Sequence, residues 1–192
     1  VLRRADLLCS ACGAAAREMI ETPRLLLRSW CDADRDPFWA IAQDRQVMQY
    51  LPAISRRESD GTIARMNAYE AGHGFSFWAM ERKSDSRFLG FCGLLPPHPP
   101  FRENEIGWRL AGDCWGQGYA REAAMACLVW AWGKTDIRTL VAVTVPANTR
   151  SRALMVRLGM THDPREDFDH PDLPKGDPLR RHVLYRIERP DD

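Results

Sequence analysis

Two glycines one residue apart, Gly116 and Gly118, stand immediately before an apolar run that begins at Tyr119. A glycine turn at the start of a helix leaves backbone N–H groups without partners and sets the positive end of the helix dipole beside them. It also removes the side chains that would hold an anion away. The chemistry this permits is phosphate binding. Spacing narrows the ligand, because a dinucleotide fingerprint needs a third glycine where Arg121 stands and a Walker loop needs Gly-Lys-Ser/Thr at the helix start. Gly133-Lys134-Thr135 sits at the wrong end of the run, with Leu128 where its upstream glycine belongs. A nucleotide-binding module is disfavoured on both counts.

The elements that must position this turn are legible on either side of it. Residues 104–110 alternate Ile106, Trp108 and Leu110 against Glu105, Gly107 and Arg109, the two-residue period of a strand. Residues 119–132 are apolar nearly all round, with Arg121 and Glu122 as the charges, and read as a buried helix that Gly133 stops.

Trp115-Gly116-Gln117-Gly118-Tyr119-Ala120, together with Glu105-Ile106-Gly107-Trp108 before it and Arg121-Glu122-Ala123 after it, resembles the acetyl-coenzyme A pyrophosphate loop of the GNAT N-acetyltransferases, in the form typical of the RimJ/RimL-like branch. The resemblance begins at Met19-Ile20-Glu21-Thr22-Pro23-Arg24 and covers nearly all of 20–188. It implies an α/β domain with a mixed, mostly antiparallel sheet of about seven strands flanked by about four helices. Two central parallel strands, 104–110 and 139–145, should splay apart so that pantetheine fills the gap against backbone near Trp108 to Leu110. The stretch from Asn148 through Ser151 and Arg152 to Arg157-Leu158-Gly159-Met160 resembles the second half of the coenzyme site. Asn148 reads equally well as a helix N-cap, and Arg152 as either a phosphate contact or a solvated cation. Asp113 departs from the family, many members of which carry Gln or Arg there.

The implied function is acetyl-coenzyme A dependent transfer of an acetyl group to a primary amine, by direct attack in a ternary complex. A noncatalytic acyl-coenzyme A sensor is the alternative. Such transfer needs a neutral amine, a donor for the developing oxyanion and a proton for the leaving thiolate. Glu105 is the candidate base, against a structural ion pair with an arginine. Ser151 is the candidate proton donor, against a plain first-turn residue. Tyr50, in a segment that often lines the acceptor side in the family, is the candidate substrate contact. His98, within Pro96-Pro97-His98-Pro99-Pro100, reads as an exposed spectator. The acidic, proline-rich stretch 163–178 reads as a solvated loop, or as a lid whose carboxylates receive a cationic acceptor. The acceptor class, a protein N-terminus or a small molecule, is left open, as is a homodimer.

Composition limits the rest. A chain of 192 residues suits one α/β domain, assigned here to 19–190, with 1–18 as a poorly ordered extension. A net charge of +1 advertises neither nucleic acid nor a membrane surface. No stretch approaches the roughly 18 apolar residues of a membrane span, and the short N-terminal apolar run is broken by Asp6, so the expectation is cytoplasmic. Cys9 and Cys12 have no second pair at zinc spacing, so no metal is expected. Cys92, Cys114 and Cys127 read as small buried hydrophobes, with a Cys114 thiolate beside the glycine loop as the alternative.

The remaining elements follow from local signals. They comprise a first strand over 24–29, a helix begun by an Asp36 cap with Pro37 at its first position, and a helix boxed by Ser55 and Glu58 and ended by Gly72 or Gly74. A hairpin turns at 83–86, a buried strand fills 139–145, a helix ends at Gly159, and a last strand occupies 180–186.

Overall fold

A computed structural model describes residues 20–190; the segment 1–18 lies outside them. The strands are β1 (Ile20–Glu21), β2 (Leu25–Arg28), β3 (Phe77–Arg82), β4 (Arg87–Leu95), β5 (Asn104–Leu110), β6 (Thr139–Thr144), β7 (Thr161–His162), β8 (Phe168–Asp169) and β9 (Arg181–Glu188). The helices are α1 (Arg35–Gln43), α2 (Arg45–Met48), α3 (Arg56–His73), α4 (Tyr119–Lys134) and α5 (Thr149–Arg157). The sheet runs β1-β2-β3-β4-β5-β6-β9-β7, with β8 pairing with β9 beside that path.

Every strand pair is antiparallel except β5 with β6, and that parallel pairing is brief: Asn104 opposes Leu140, Glu105 opposes Val141, and the two then part. From Ile106 onward β5 stays with β4, while β6 from Ala142 to Thr144 stays with β9. Each half of the twisted sheet is held by a long antiparallel ladder on its outer side, so the short parallel seam is where it opens. This is the splay expected of the two central strands.

The alternation along β5 sorts its side chains between two cores. Ile106 and Leu110 join the core beneath α4, which contributes Tyr119, Ala123, Ala124, Cys127, Leu128 and Ala131. Arg109 lies on the opposite face with Phe38 and Phe91, where α1 and α3 cover the sheet through Phe38, Ile41, Ile63 and Met66. Ser55 caps α3 by accepting from the Glu58 N–H at 3.2 Å while Glu58 accepts from the Ser55 N–H at 2.6 Å, and Gly74 ends the helix at φ 80°.

The structure corrects several expectations. The described residues form nine strands, against about seven expected, because β1, β7 and β8 are two residues each, too short to show a period. They form five helices, against about four, because α2 is a single turn capped by Asp44. Asp36 lies inside α1 rather than capping it. Asp34 occupies the cap, and its carboxylate is bound instead by Arg28 and the Cys31 N–H. Gly133 does not stop α4, which runs on to Lys134, since one glycine costs a helix only about 1 kcal/mol. Nor is α4 buried all round: Val129 is 68% and Met125 40% exposed.

Candidate active site

The loop after β5 begins with a tight turn at Gly112–Cys114 and passes through Gly116 and Gly118, both left-handed at φ 75° and 82°. A Cβ at Gly116 would meet nothing within 4 Å, so this turn faces open space. Gly118 is the N-cap of α4 and supplies no side-chain acceptor, which leaves the first N–H groups of a 16-residue helix free for a ligand.

The loop is shaped by side chains from distant parts of the chain. Arg24, at the entrance to β2, donates from Nη1 to the Gln117 carbonyl at 2.9 Å and lies over the Tyr119 ring at 4.5 Å. Its Nε meets Glu122 Oε2 at 2.6 Å, and Glu122 Oε1 also accepts from Thr22 Oγ1 at 2.6 Å. Burial raises the Glu122 pKa, but the hydrogen bonds from Thr22 and Arg24 outweigh it and hold the carboxyl below its ordinary value. Trp115 Nε1 donates to the Leu110 carbonyl at 3.0 Å, Gln117 Nε2 to the Asp113 carbonyl at 2.9 Å, and the Arg150 guanidinium lies over the Trp115 ring at 4.6 Å. Asp113, the residue that departs from the family, is met by Arg87 Nη2 at 2.6 Å, so its charge is balanced locally. Ala120 is the second residue of α4, half-buried behind the turn.

Cys114 is buried, and its thiol pKa is raised, first by desolvation and then by Asp113. Both effects disfavour the thiolate, in keeping with a packing role for Cys114.

Across the wedge, Asn148 caps α5: its Oδ1 accepts from the Ser151 N–H at 3.2 Å and its Nδ2 donates to Thr144 Oγ1 at 2.9 Å. The Ser151 hydroxyl makes no hydrogen bond among the described residues. Arg152 turns toward β9, donating to Tyr185 Oη at 3.3 Å and to the Pro146 carbonyl at 3.0 Å. The arginine that reaches the glycine-loop side from α5 is Arg150.

Glu105 occupies the residue at which β5 leaves β6, and its Oε2 lies 3.3 Å from His98 Nε2. The spectator reading of His98 is thus corrected, and the partner of Glu105 is this histidine rather than an arginine. The hydrogen bond to Glu105 raises the His98 pKa above its ordinary value, against burial. Aromatic contacts continue from His98 to Phe101 at 5.4 Å, to Phe168 at 5.5 Å and to His182 at 5.6 Å. The carboxylates of the acidic stretch are mostly matched nearby. Asp163 binds Arg165, Asp167 binds His162, Asp169 binds Arg180, and Glu166 binds Arg186. That is the charge-balanced loop, not a set of free carboxylates presented to a cation.

On the sheet face shared with α1, the ring of Phe77 covers Gly107 so closely that a Cβ there would lie 2.6 Å from it. Arg109 stands beyond, 5.5 Å from the Phe91 ring and 6.0 Å from Phe38. Trp108 packs against the α4 core on the other side. Tyr50 is half-buried in the turn after α2, without a hydrogen bond among the described residues.

Sequence reasoning missed Arg24, Arg150, the His98 contact and Arg109. A signal existed for Arg24, which alternates with buried Leu25 at the start of β2. The other three are products of long-range packing. Among the described residues no group of three or more His, Cys, Asp or Glu could hold a metal ion, and no helix is long and apolar enough to cross a membrane.

Comparison with known proteins supplies an independent view. The model of the acetyltransferase (GNAT) domain matches residues 24–161. The uncharacterized protein YkkB of Bacillus subtilis is 33% identical over 153 residues, 76% of this chain and 86% of that one. An FsC-acetyl coenzyme A-N(2)-transacetylase of Aspergillus fumigatus is 30% identical over 188 residues, 91% of this chain and 77% of that one. A crystal structure of an acetyltransferase from Agrobacterium tumefaciens superposes with a TM-score of 0.75 at 27% identity, covering 90% of this chain and 95% of that one.

Proposed function

The chain belongs to the acetyltransferase (GNAT) family, and on that premise we propose that it transfers the acetyl group of acetyl-coenzyme A to a primary amine by direct attack in a ternary complex. The observation that carries this reading is the parting of β5 from β6 after Glu105, with an open glycine turn and an uncapped helix where β5 ends.

The coenzyme supplies an activated thioester. The N–H groups from Gly116 to Ala120 receive its diphosphate, with Trp115, Gln117 and Tyr119 shaping the turn and Arg24 and Arg150 adding positive charge beside it. The β6-side edge of β5 near Trp108 to Leu110 offers backbone to the pantetheine, and an N–H there polarises the thioester carbonyl, a contribution of about 3 kcal/mol to the barrier. Asn148 fixes the first turn of α5, and with it the Ser151 hydroxyl.

An α-amine has a pKa near 8 and a lysine amine near 10.4, so at neutral pH most acceptor arrives protonated. The Glu105–His98 pair takes that proton, directly or through water. Nitrogen then attacks the carbonyl, the C–S bond breaks, and Ser151 protonates the departing thiolate. Tyr50 lies on the acceptor side. Arg152, bound to Tyr185, supports α5 rather than the phosphates.

Thiol release from acetyl-coenzyme A, measured against a panel of amines, tests the reading. Turnover with at least one amine and formation of its N-acetyl product is the expected result. Tight binding without turnover on any amine would mark a noncatalytic acyl-coenzyme A sensor, and preferential binding of ATP would overturn the assignment.

A further inference from the structure

Arg109 is a charged group whose Nε is buried without a hydrogen-bond partner. It forms no ion pair among the described residues, and its guanidinium lies 5.5 Å from the Phe91 ring and 6.0 Å from that of Phe38. Desolvation alone pulls its pKa down, to about 10, which is the mark of a cation without a counter-charge. A buried charge is ordinarily paired because leaving water unpaired is costly. The residue is nonetheless partly exposed, so the rest of the guanidinium can be reached from solvent.

Its position says what could reach it. Arg109 is on the strand that lines the wedge, four residues from Glu105 on the same face, with Gly107 and the covering Phe77 ring between them. A carboxylate and a guanidinium thus stand at two ends of an aromatic floor. The coenzyme does not supply the missing anion, since its phosphates are drawn to the glycine turn and its pantetheine and acetyl groups are uncharged. The remaining participant is the acceptor.

We propose that Arg109 is an anion subsite for the acceptor, so that the preferred substrates carry a carboxylate as well as the reacting amine: the amine is held at Glu105 and His98 and the carboxylate is held by the guanidinium. Planar, bidentate recognition of carboxylate is what an arginine in a dry aromatic setting does best. Four residues of strand separate the two Cα atoms by about 13 Å, so the carboxylate is the C-terminus of a short peptide or an acidic side chain near a peptide N-terminus. The inference rests on the acetyltransferase reading above.

The test compares kcat/KM for matched acceptors with acetyl-coenzyme A: dialanine and trialanine against their C-terminal amides, and peptide amides with Asp against Asn at the second position. Wild-type protein should favour the carboxylate member of at least one pair by about tenfold or more, and the pair that shows it identifies the source. Arg109→Gln should bring that ratio close to one with coenzyme affinity unchanged, and Arg109→Lys should restore part of it. A structural role would lower both members equally. Equal rates for each pair in the wild type, or a preference that survives Arg109→Gln, would overturn the proposal while leaving the acetyltransferase reading intact. Thermal shift of coenzyme-loaded protein with the same compounds decides the matter if none is turned over: carboxylates must raise the midpoint of the wild type more than their amides do, and must lose that advantage in a folded Arg109→Gln.

Discussion

Arg28 and Arg109 both lie against the first turn of α1, and they have been treated in opposite ways. Arg28, with a side chain 4% exposed, forks onto Asp34 with two contacts of 2.8 Å and reaches Glu81 from Nε at 2.8 Å. Those two carboxylate side chains are 2% and 6% exposed, and the set ties β2 and β3 to the residue preceding α1. Arg109, beneath Phe38 of α1, has no carboxylate at all among the described residues. The first is closed and makes the fold specific; the second is open and fits a ligand. The presence or absence of a counter-charge separates the two roles, and partial exposure keeps Arg109 within reach of a ligand.

The comparison can be broken most forcefully at its closed end. Asp34→Ala removes one of the two carboxylates that hold Arg28 in a dry site, and the expected loss is about 3–5 kcal/mol in urea unfolding. A loss below about 1 kcal/mol would show the triad to be ornamental and the contrast false. At the ligand end, Gly118→Val forces a branched side chain to φ 82° and brings Cβ to 3.4 Å from Arg24 Nη2. Calorimetric titration should find acetyl-coenzyme A binding weakened about 100-fold or more in a protein that still folds. Glu105→Gln should lower kcat/KM by roughly 100-fold with coenzyme affinity nearly intact, and a wild-type rate would return Glu105 to a structural role.

Smaller effects sharpen the contrast. Arg109→Met exchanges an uncompensated charge for apolar volume, so the melting midpoint should stay level or rise, unlike the outcome at Arg28. The smallest effect concerns His98. Its folded pKa is raised above the ordinary value of about 6.5, so the stability it gains from Glu105 is complete below that pH and is lost as pH rises through the folded value. Wild-type protein should therefore shed a little stability as pH rises from about 6.5 toward the folded value of His98, and His98→Gln should flatten that slope.

The glycine turn, the strand before it and the boxed helix α3 were legible because each is specified locally: φ above zero at Gly116 and Gly118, period two from Ile106 to Leu110, a reciprocal cap from Ser55 to Glu58. Local rules misplaced the start of α1, because the pull of Arg28 on Asp34 comes from another strand. The same blindness hid the Glu105 partner. His98 lies seven residues away in a proline-rich turn whose path is set by the β4–β5 hairpin, and no propensity reports where it returns. Arg109 was invisible for a different reason: its distinguishing property is the lack of a partner, which can be seen only when every neighbour is in place.

The position of β9 between β6 and β7 bears on how the protein is made in the cell. As the chain is synthesised, residues 139–144 emerge some forty residues ahead of 181–188, the segment that will cover their outer edge. Their inner edge meets β5 at only two residues, so the nascent domain displays Thr-Leu-Val-Ala-Val-Thr, uncharged and rich in β-branched side chains, with both edges largely open. The gap proposed for the coenzyme is thus, during synthesis, bordered by uncovered strand edges until β9 follows β6, the kind of exposure that invites misassembly with other chains.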